Sequence, residues 1–288
     1  MSITVKTLLS QLAQLLALGL LLVNTVSAQE ALTLGIHPYK SASKLIAAYT
    51  PLADYLAGKL GVPVKIHISR DYQTHIQLIG SGQLDIAYMG PASYIKLVEY
   101  YGSKPLLARQ AIHGKPEFRG TIITPLTSPL QSLDQLHGKR FAFGDPESTM
   151  SHLVPRYMLW KAGVDANALL EYRFLGSHDN VALAVLAGDF DAGAVKEAVF
   201  RKYAERGLRA LATTPALSEH LFVTRSRLAP QRVEQLRSAL LALDKTTDGR
   251  HIMNTIKPGM TAMLPVQDSD YDNLRGIMDA LHEHGTLK

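Results

Sequence analysis

The residues with most chemistry to offer lie in one nine-residue stretch, GDPESTMSH, from Gly144 to His152. Ser148, Thr149 and Ser151 place three hydroxyls within four positions. The preceding GKRFAF reads as a short buried strand, and the following LVPRYMLWKAG reads as a helix. The hydroxyls therefore fall where a strand hands over to a helix. The first N–H groups of a helix have no intrahelical acceptor, and they sit at the positive end of its dipole. The amides of Thr149, Met150 and Ser151, pointing the same way as the hydroxyls, would surround a tetrahedral oxyanion. The plain alternative is that Ser148 is an ordinary N-cap and the rest is incidental.

Three other turns carry polar side chains to the same kind of position. GSHDN, residues 176–180, brings His178 to a second strand-to-helix turn, where an imidazole can donate to an anion. DIAYMGPASY ends in Gly90, Pro91, Ser93 and Tyr94 at a helix start, and SRDYQTH puts Tyr72 at another. Either tyrosine can face a cleft or fill a core. A Ser148–His178–Asp179 hydrolase can be drawn, but no strained nucleophile elbow, phosphate-binding P-loop or dinucleotide fingerprint is present. His282 and His284 are too close together and too near the C-terminus to make a metal site. No catalytic residue, metal or cofactor is expected.

The elements that must position these residues alternate strand with helix. Residues 31–36, 62–69 and 85–90 read as strands. Residues 42–61, 71–82 and 91–102 read as helices, the first interrupted by Pro51. PLLARQAI and FRGTIITP are two further strands leading out of this first group. The alternation restarts with strands in GKRFAFGD, EYRFLG and DAGAV, and helices in STMSHLVPRYMLWKAG, HDNVALAVLAGDF and KEAVFRKYAERG. The remainder reads as mostly helical, at 229–244 and 269–285. Such alternation predicts parallel α/β sheets, in which ligands bind beyond the carboxyl ends of the strands. LIGSGQLDIAYMG and AVLAGDFDAGAV also echo each other, matching Gly82 with Gly188 and Asp85 with Asp191. Two lobes of like topology explain the echo; a general resemblance among helix-to-strand turns also would.

The first 28 residues have an early cation, Lys6, then an apolar run, then Val26-Ser27-Ala28, the layout of a cleaved secretory leader. An uncleaved anchor is the alternative. The chain contains no cysteine, so an exported domain must be stable without disulfides and cannot be lipidated on cysteine. Thirty cationic and 25 acidic side chains give +5, and removal of Lys6 leaves +4, dispersed without a basic block. Nucleic acid is not an expected partner. The periplasm is the expected compartment.

GQLDIAYMGPASY, LHGKRFAFGDPESTMSHLVPRYML and FLGSHDNVALAVLAGDFDAGAV together resemble the phosphate/phosphite/phosphonate-binding proteins of ABC importers, over about residues 31–245. The resemblance implies a type II periplasmic binding protein fold: two α/β lobes joined by a two-strand hinge that close on a ligand. One lobe would be 29–124 plus 215–288, the other 125–214. It implies that Ser148, Thr149, Met150, Ser151 and His178 hold a small oxyanion. Tyr72 would reach it from the first lobe, and the turn of Gly90, Ser93 and Tyr94 would lie close by. Two departures stand out. The family's S-T-S-G turn is here S-T-M-S, and Lys196 stands about where relatives carry a carboxylate that meets a ligand ammonium. If Lys196 faces the cleft, the ligand is a compact anion without an amine; if it points to solvent, nothing follows. Relatives that bind trivalent arsenic, and a fold-related class that makes a thiamine pyrimidine precursor, use cysteines that are absent here. The implied partners are a tetrahedral oxyanion and an inner-membrane ABC permease, with the protein a monomer. A sensory protein that presents the same ligand to a histidine kinase or chemoreceptor is the other possibility.

Overall fold

The computed structural model describes residues 30–285; the expected leader lies outside them. A six-stranded sheet is built from β1 (Leu32–Ile36), β2 (Val64–Ile68), β3 (Ile86–Met89), β4 (Leu106–Ile112), β12 (Leu221–Thr224) and β13 (Met260–Leu264), in the order β13-β4-β12-β3-β1-β2. A five-stranded sheet is built from β6 (Gly120–Pro125), β7 (Arg140–Phe143), β8 (Glu171–Phe174), β9 (Ala192–Lys196) and β10 (Leu208–Thr213), in the order β10-β6-β9-β7-β8. The chain passes between the sheets twice, and the two passages pair with each other as an antiparallel ribbon, β5 (Glu117–Phe118) with β11 (Leu217–Ser218).

Each sheet is covered on both faces, which is why its parallel strands read as nearly unbroken apolar runs. On one face of the larger sheet lie α1 (Ala42–Leu60), α7 (Pro230–Leu241) and α8 (Thr247–Ile256), burying Leu45, Leu52, Leu56, Leu236 and Met253. On the other lie α2 (Tyr72–Gly80), α3 (Pro91–Tyr101) and α9 (Asp272–Glu283). The smaller sheet packs α4 (Val154–Lys161) on one face, through Leu159, and α5 (His178–Ala187) and α6 (Glu197–Ala204) on the other, through Val181, Val185 and Val199.

Four expectations change. The helix from 42 is continuous through Pro51. A mid-helix proline costs about 3 kcal/mol, but Leu45, Tyr49, Leu52 and Leu56 are fully buried on either side of it, and each such side chain is worth about 1.5–3 kcal/mol. The stretch from 149 is not α-helical at its start: Thr149–Leu153 form a π-helical turn, and the α-helix begins at Val154. The last part holds the two expected helices, at Pro230–Leu241 and Asp272–Glu283, but also two strands that were not expected, since β12 and β13 run antiparallel into the larger sheet. Finally, β6, expected in the first lobe up to residue 124, pairs with β9 and β10 in the smaller sheet. The first passage between the sheets therefore falls before Gly120.

The internal echo has a structural basis. Gly82 and Gly188 end α2 and α5 with φ near +80°, a conformation that favours glycine. Asp85 then accepts from the backbone N–H of Thr33 at 2.8 Å and from Arg225 Nε at 2.7 Å. Asp191 accepts from the backbone N–H of Arg140, also at 2.8 Å, and pairs with the Arg140 side chain. Each aspartate thus ties the amino end of its own strand to that of the neighbouring parallel strand. Replacing Asp85 by alanine leaves that N–H without its partner and should lower stability by about 1–3 kcal/mol; a urea denaturation midpoint moving by less than the error of the measurement would refute this role.

Candidate functional site

The parallel strands of both sheets point their carboxyl ends at one cavity of ≈ 50 Å³. The turns beyond β1, β2 and β3 contribute His37, Tyr72 and Gly90; those beyond β7 and β8 contribute Ser148–Met150 and His178, and the last residue of β9 contributes Lys196. Six strand ends therefore converge on a space suited to one compact ligand.

Ser148 caps the π-helical turn, its Oγ accepting from Ser151 N at 3.2 Å. As an acceptor there, its own O–H is left to donate into the cavity. Thr149 Oγ1 accepts from Ala92 N at 3.1 Å, joining the turn to α3, and likewise keeps a hydrogen to donate. Met150 lines the cavity too. The amides of Thr149 and Met150 open the turn, where N–H groups lack intrahelical acceptors.

His178 opens α5, with Ser177 as its N-cap. Its Nδ1 accepts from the backbone N–H of Lys196 at 3.1 Å. That bond fixes the tautomer: the hydrogen of the neutral ring is on Nε2, so His178 is a donor. Burial holds its pKa well below the usual value, and Lys196 adds to the effect. The triad arrangement is not assembled, since Asp179 binds Lys202 Nζ and Tyr203 Oη instead of His178.

Lys196 lines the cavity, with its ammonium 5.2 Å from the centre of the Tyr39 ring. Burial, then Lys257 and Lys40, lower its pKa to about 8. Tyr72 is buried against His37, ring centres 4.7 Å apart. Gly90 lines the wall as the N-cap of α3.

Three expected residues lie elsewhere. Ser151 is turned into the smaller sheet, where its hydroxyl donates to Ala194 O and its amide is taken by Ser148. Its Oγ lies 2.5 Å from where a Cβ on residue 144 would stand, too close for any side chain there unless Ser151 moves. Tyr94 is one residue too far around α3: its ring lies 5.0 Å from that of Tyr271, tilted by 56°, and its hydroxyl donates to Asp268 at 2.6 Å. Ser93 is buried in α3 and does not line the cavity.

The structure adds residues that the strand-to-helix pattern did not reveal. His37 is 1% exposed, and neither ring nitrogen has a hydrogen-bond partner among the described residues. His220 and Lys257 precede β12 and β13. Because those strands run antiparallel to β3 and β4 respectively, their amino ends reach the edge where the parallel strands end. Glu219, 1% exposed, anchors this side. It accepts from Gln110 Nε2 at 2.7 Å, from Lys257 Nζ at 2.8 Å and from His220 Nδ1 at 2.9 Å. Burial alone would raise its pKa, but His220 and Lys257 outweigh that and hold the carboxyl well below its usual range. Among the described residues, no group of His, Asp and Glu is arranged to hold a metal ion.

The profile of the family described as "ABC transporter, phosphonate, periplasmic substrate-binding protein" matches residues 34–271. The chain belongs to that family. It is 26% identical over 279 residues to the phosphate-import protein PhnD of Mycolicibacterium smegmatis, covering 87% of this chain and 85% of that one. It is 30% identical over 161 residues to the phosphonates-binding periplasmic protein of Escherichia coli, covering 54% and 48%. PhnD1 of Prochlorococcus marinus, solved with methylphosphonate, superposes with a TM-score of 0.79 at 23% identity, covering 88% of this chain and 98% of that chain. The fold is that of the type II periplasmic binding proteins.

Lys196 carries a testable cost. Its folded pKa of about 8 lies below the ordinary 10.5, so between those values the unfolded chain binds more protons and stability rises with pH. Below about pH 8 the penalty is fully present. Lys196→Met should stabilise the ligand-free protein at pH 7 by about 1–3 kcal/mol, with the gain fading as pH approaches 10. Urea melts at pH 7 and pH 10 check this; equal gains at both would remove the buried ammonium as the cause.

Proposed function

We propose that this protein captures a small phosphorus oxyanion in the periplasm and hands it to an ABC permease, without covalent chemistry. The observation that carries this is the chemistry of the cavity wall. Ser148, Thr149, the opening amides of the turn, His178 Nε2–H and the Lys196 ammonium are all donors or cations around a space of ≈ 50 Å³. Each hydrogen bond from such a group to a charged oxygen is worth about 1.5–3 kcal/mol.

Ser148, Thr149, Met150, His178, Lys196, Tyr72 and Gly90 are the assigned ligand-binding residues, joined by His37 and His220. With Lys196 at the wall, an aminoalkyl phosphonate would bring its ammonium against another. Phosphite, phosphate and short alkylphosphonates lack that conflict. The lobes would carry their respective sheets and close over the anion, and the permease would read the shift toward the closed form. A monomer suits a clamp of this kind. The names of the relatives, a phosphate-import protein and a phosphonates-binding periplasmic protein, together with an ABC-transporter family, support transport over sensing.

Thermal melts of the protein lacking residues 1–28, run against phosphate, phosphite, hypophosphite, methylphosphonate, aminoethylphosphonate, sulfate and arsenate, test the assignment. A ligand at 100-fold over its Kd adds about 2.7 kcal/mol of stability. A large shift with a compact phosphorus anion and none with aminoethylphosphonate is expected. Ser148→Ala, Thr149→Ala and His178→Ala should each weaken binding about tenfold or more. Unchanged affinity in all three, or no shift with any phosphorus anion, would defeat the proposal.

A further inference from the structure

The cavity wall is rich in donors; apart from the Glu147 carboxylate, which is paired with Lys96, His220 is the side chain there placed to accept. Its ring lies 5.4 Å from Tyr88, nearly parallel to it, with Phe118 and His37 at 5.3 and 5.4 Å. Its Nδ1 is 2.9 Å from Glu219 Oε2. An ionised carboxylate only accepts, so the hydrogen of the neutral ring is on Nδ1, and Nε2 offers a lone pair. Nε2 is beside Gly90, 3.6 Å from where a Cβ there would stand, on the cavity side.

We infer that the Glu219–His220 pair holds one proton jointly with the bound oxyanion, so that the site takes its cargo in a composition carrying one acidic hydrogen. This deepens the oxyanion assignment and rests on it. The proton balance has two equivalent routes. A ligand with an acidic hydroxyl brings the hydrogen and donates it to Nε2. A fully deprotonated ligand enters instead, and His220 takes one proton from solvent and donates it to the ligand oxygen. The complex has the same atoms either way.

The other imidazoles are worse placed for this. Protonating His178 at Nδ1 would break its bond from Lys196 N. His37 has no carboxylate beside it, and burial, His220, His75 and Lys196 all oppose its charge. His220 faces His37 beyond β1, Tyr88 on β3, His178 on α5, Lys196 at the end of β9 and Lys257 beyond α8. Burial and the two lysines oppose its protonation, and Glu219 favours it. An anion in the cavity offsets the lysines and leaves Glu219 to decide.

Isothermal titration calorimetry at pH 7, repeated in buffers of different ionisation heat, counts the protons. Phosphite, mostly a dianion without an acidic hydrogen at that pH, should take up roughly one proton per site. Methylphosphonate, mostly a monoanion, should take up much less, and phosphate, present at that pH as comparable amounts of monoanion and dianion, should take up none and instead release a fraction of a proton as the monoanion sheds its second acidic hydrogen. At pH 5 phosphite brings its own hydrogen and uptake should vanish. Lys196 is largely charged at pH 7 and adds little. His220→Gln should abolish the uptake, and Glu219→Gln should reduce it if the first variant folds poorly. Sulfate should fail to displace any of the three ligands. Phosphite binding without proton uptake, undiminished uptake in His220→Gln, or displacement by sulfate without uptake would overturn the shared proton while leaving the oxyanion assignment standing. Failure of all three ligands to bind would overturn that assignment itself.

Discussion

An oxyanion leaves water only where donors replace the water it loses, and the two sheets are arranged around that constraint. Dehydrating the charge costs several kcal/mol even after relaxation of the protein. The compensation must come from groups already aimed at one point. Parallel strands supply such groups without special loops, because each strand end delivers a helix start with unpaired amides. The same arrangement is unfavourable when empty. Lys196, Lys257 and Lys40 repel one another, and the cavity histidines are held neutral. The cavity is thus held short of its electrostatic optimum by the fold around it: burial lowers the Lys196 pKa most, and an anion would offset the repulsion from Lys257 and Lys40 that adds to it.

The turns after β7 and β8 were legible because the sequence states both sides of them: an apolar strand, a small-residue turn, and an amphipathic helix. That pattern brings Ser148, Thr149 and His178 to the cavity wall, and the same pattern after β2 brings Tyr72 there. Ser151 is not among them, because the pattern cannot show a π-helical turn. One extra residue per turn rotates Ser151 from the cavity into the sheet, onto Ala194 O. Tyr94 fails for a related reason, since its position on α3 carries it away from the mouth, which Gly90 alone reaches.

His220, Glu219 and Lys257 were out of reach for a different reason. Their strands enter the larger sheet from later in the chain and run the opposite way, so the residues before each strand, not after it, meet the ligand edge. A reading based on βα turns looks only beyond strand ends. His37 escaped because it follows a strand directly, with no helix signal for several residues. Lys196 was legible in position but not in direction, which depends on the Tyr39 ring that it stands over.

The internal echo separates what the two sheets share from what divides them. Asp85 and Asp191 perform the same task at the amino ends of the strands, far along the sheet from the ligand. At the carboxyl ends the two halves differ: one presents hydroxyls and a fixed donor histidine, the other presents aromatic rings, a carboxylate and a lysine. The turn at Thr149 touches both. Its hydroxyl accepts from Ala92 on the far side, and Met150, Leu153 and Val154 are buried in the cluster formed by α2, α3 and α9. In the proposed clamp, the segment that holds the anion is therefore the segment that seals the two halves together. On that assignment ligand binding and closure would draw on the same residues, so an anion that satisfied Ser148 and Thr149 would also favour the packing of Met150 and Leu153. In the proposed clamp that shared turn would be the physical link between recognising the cargo and presenting the closed form.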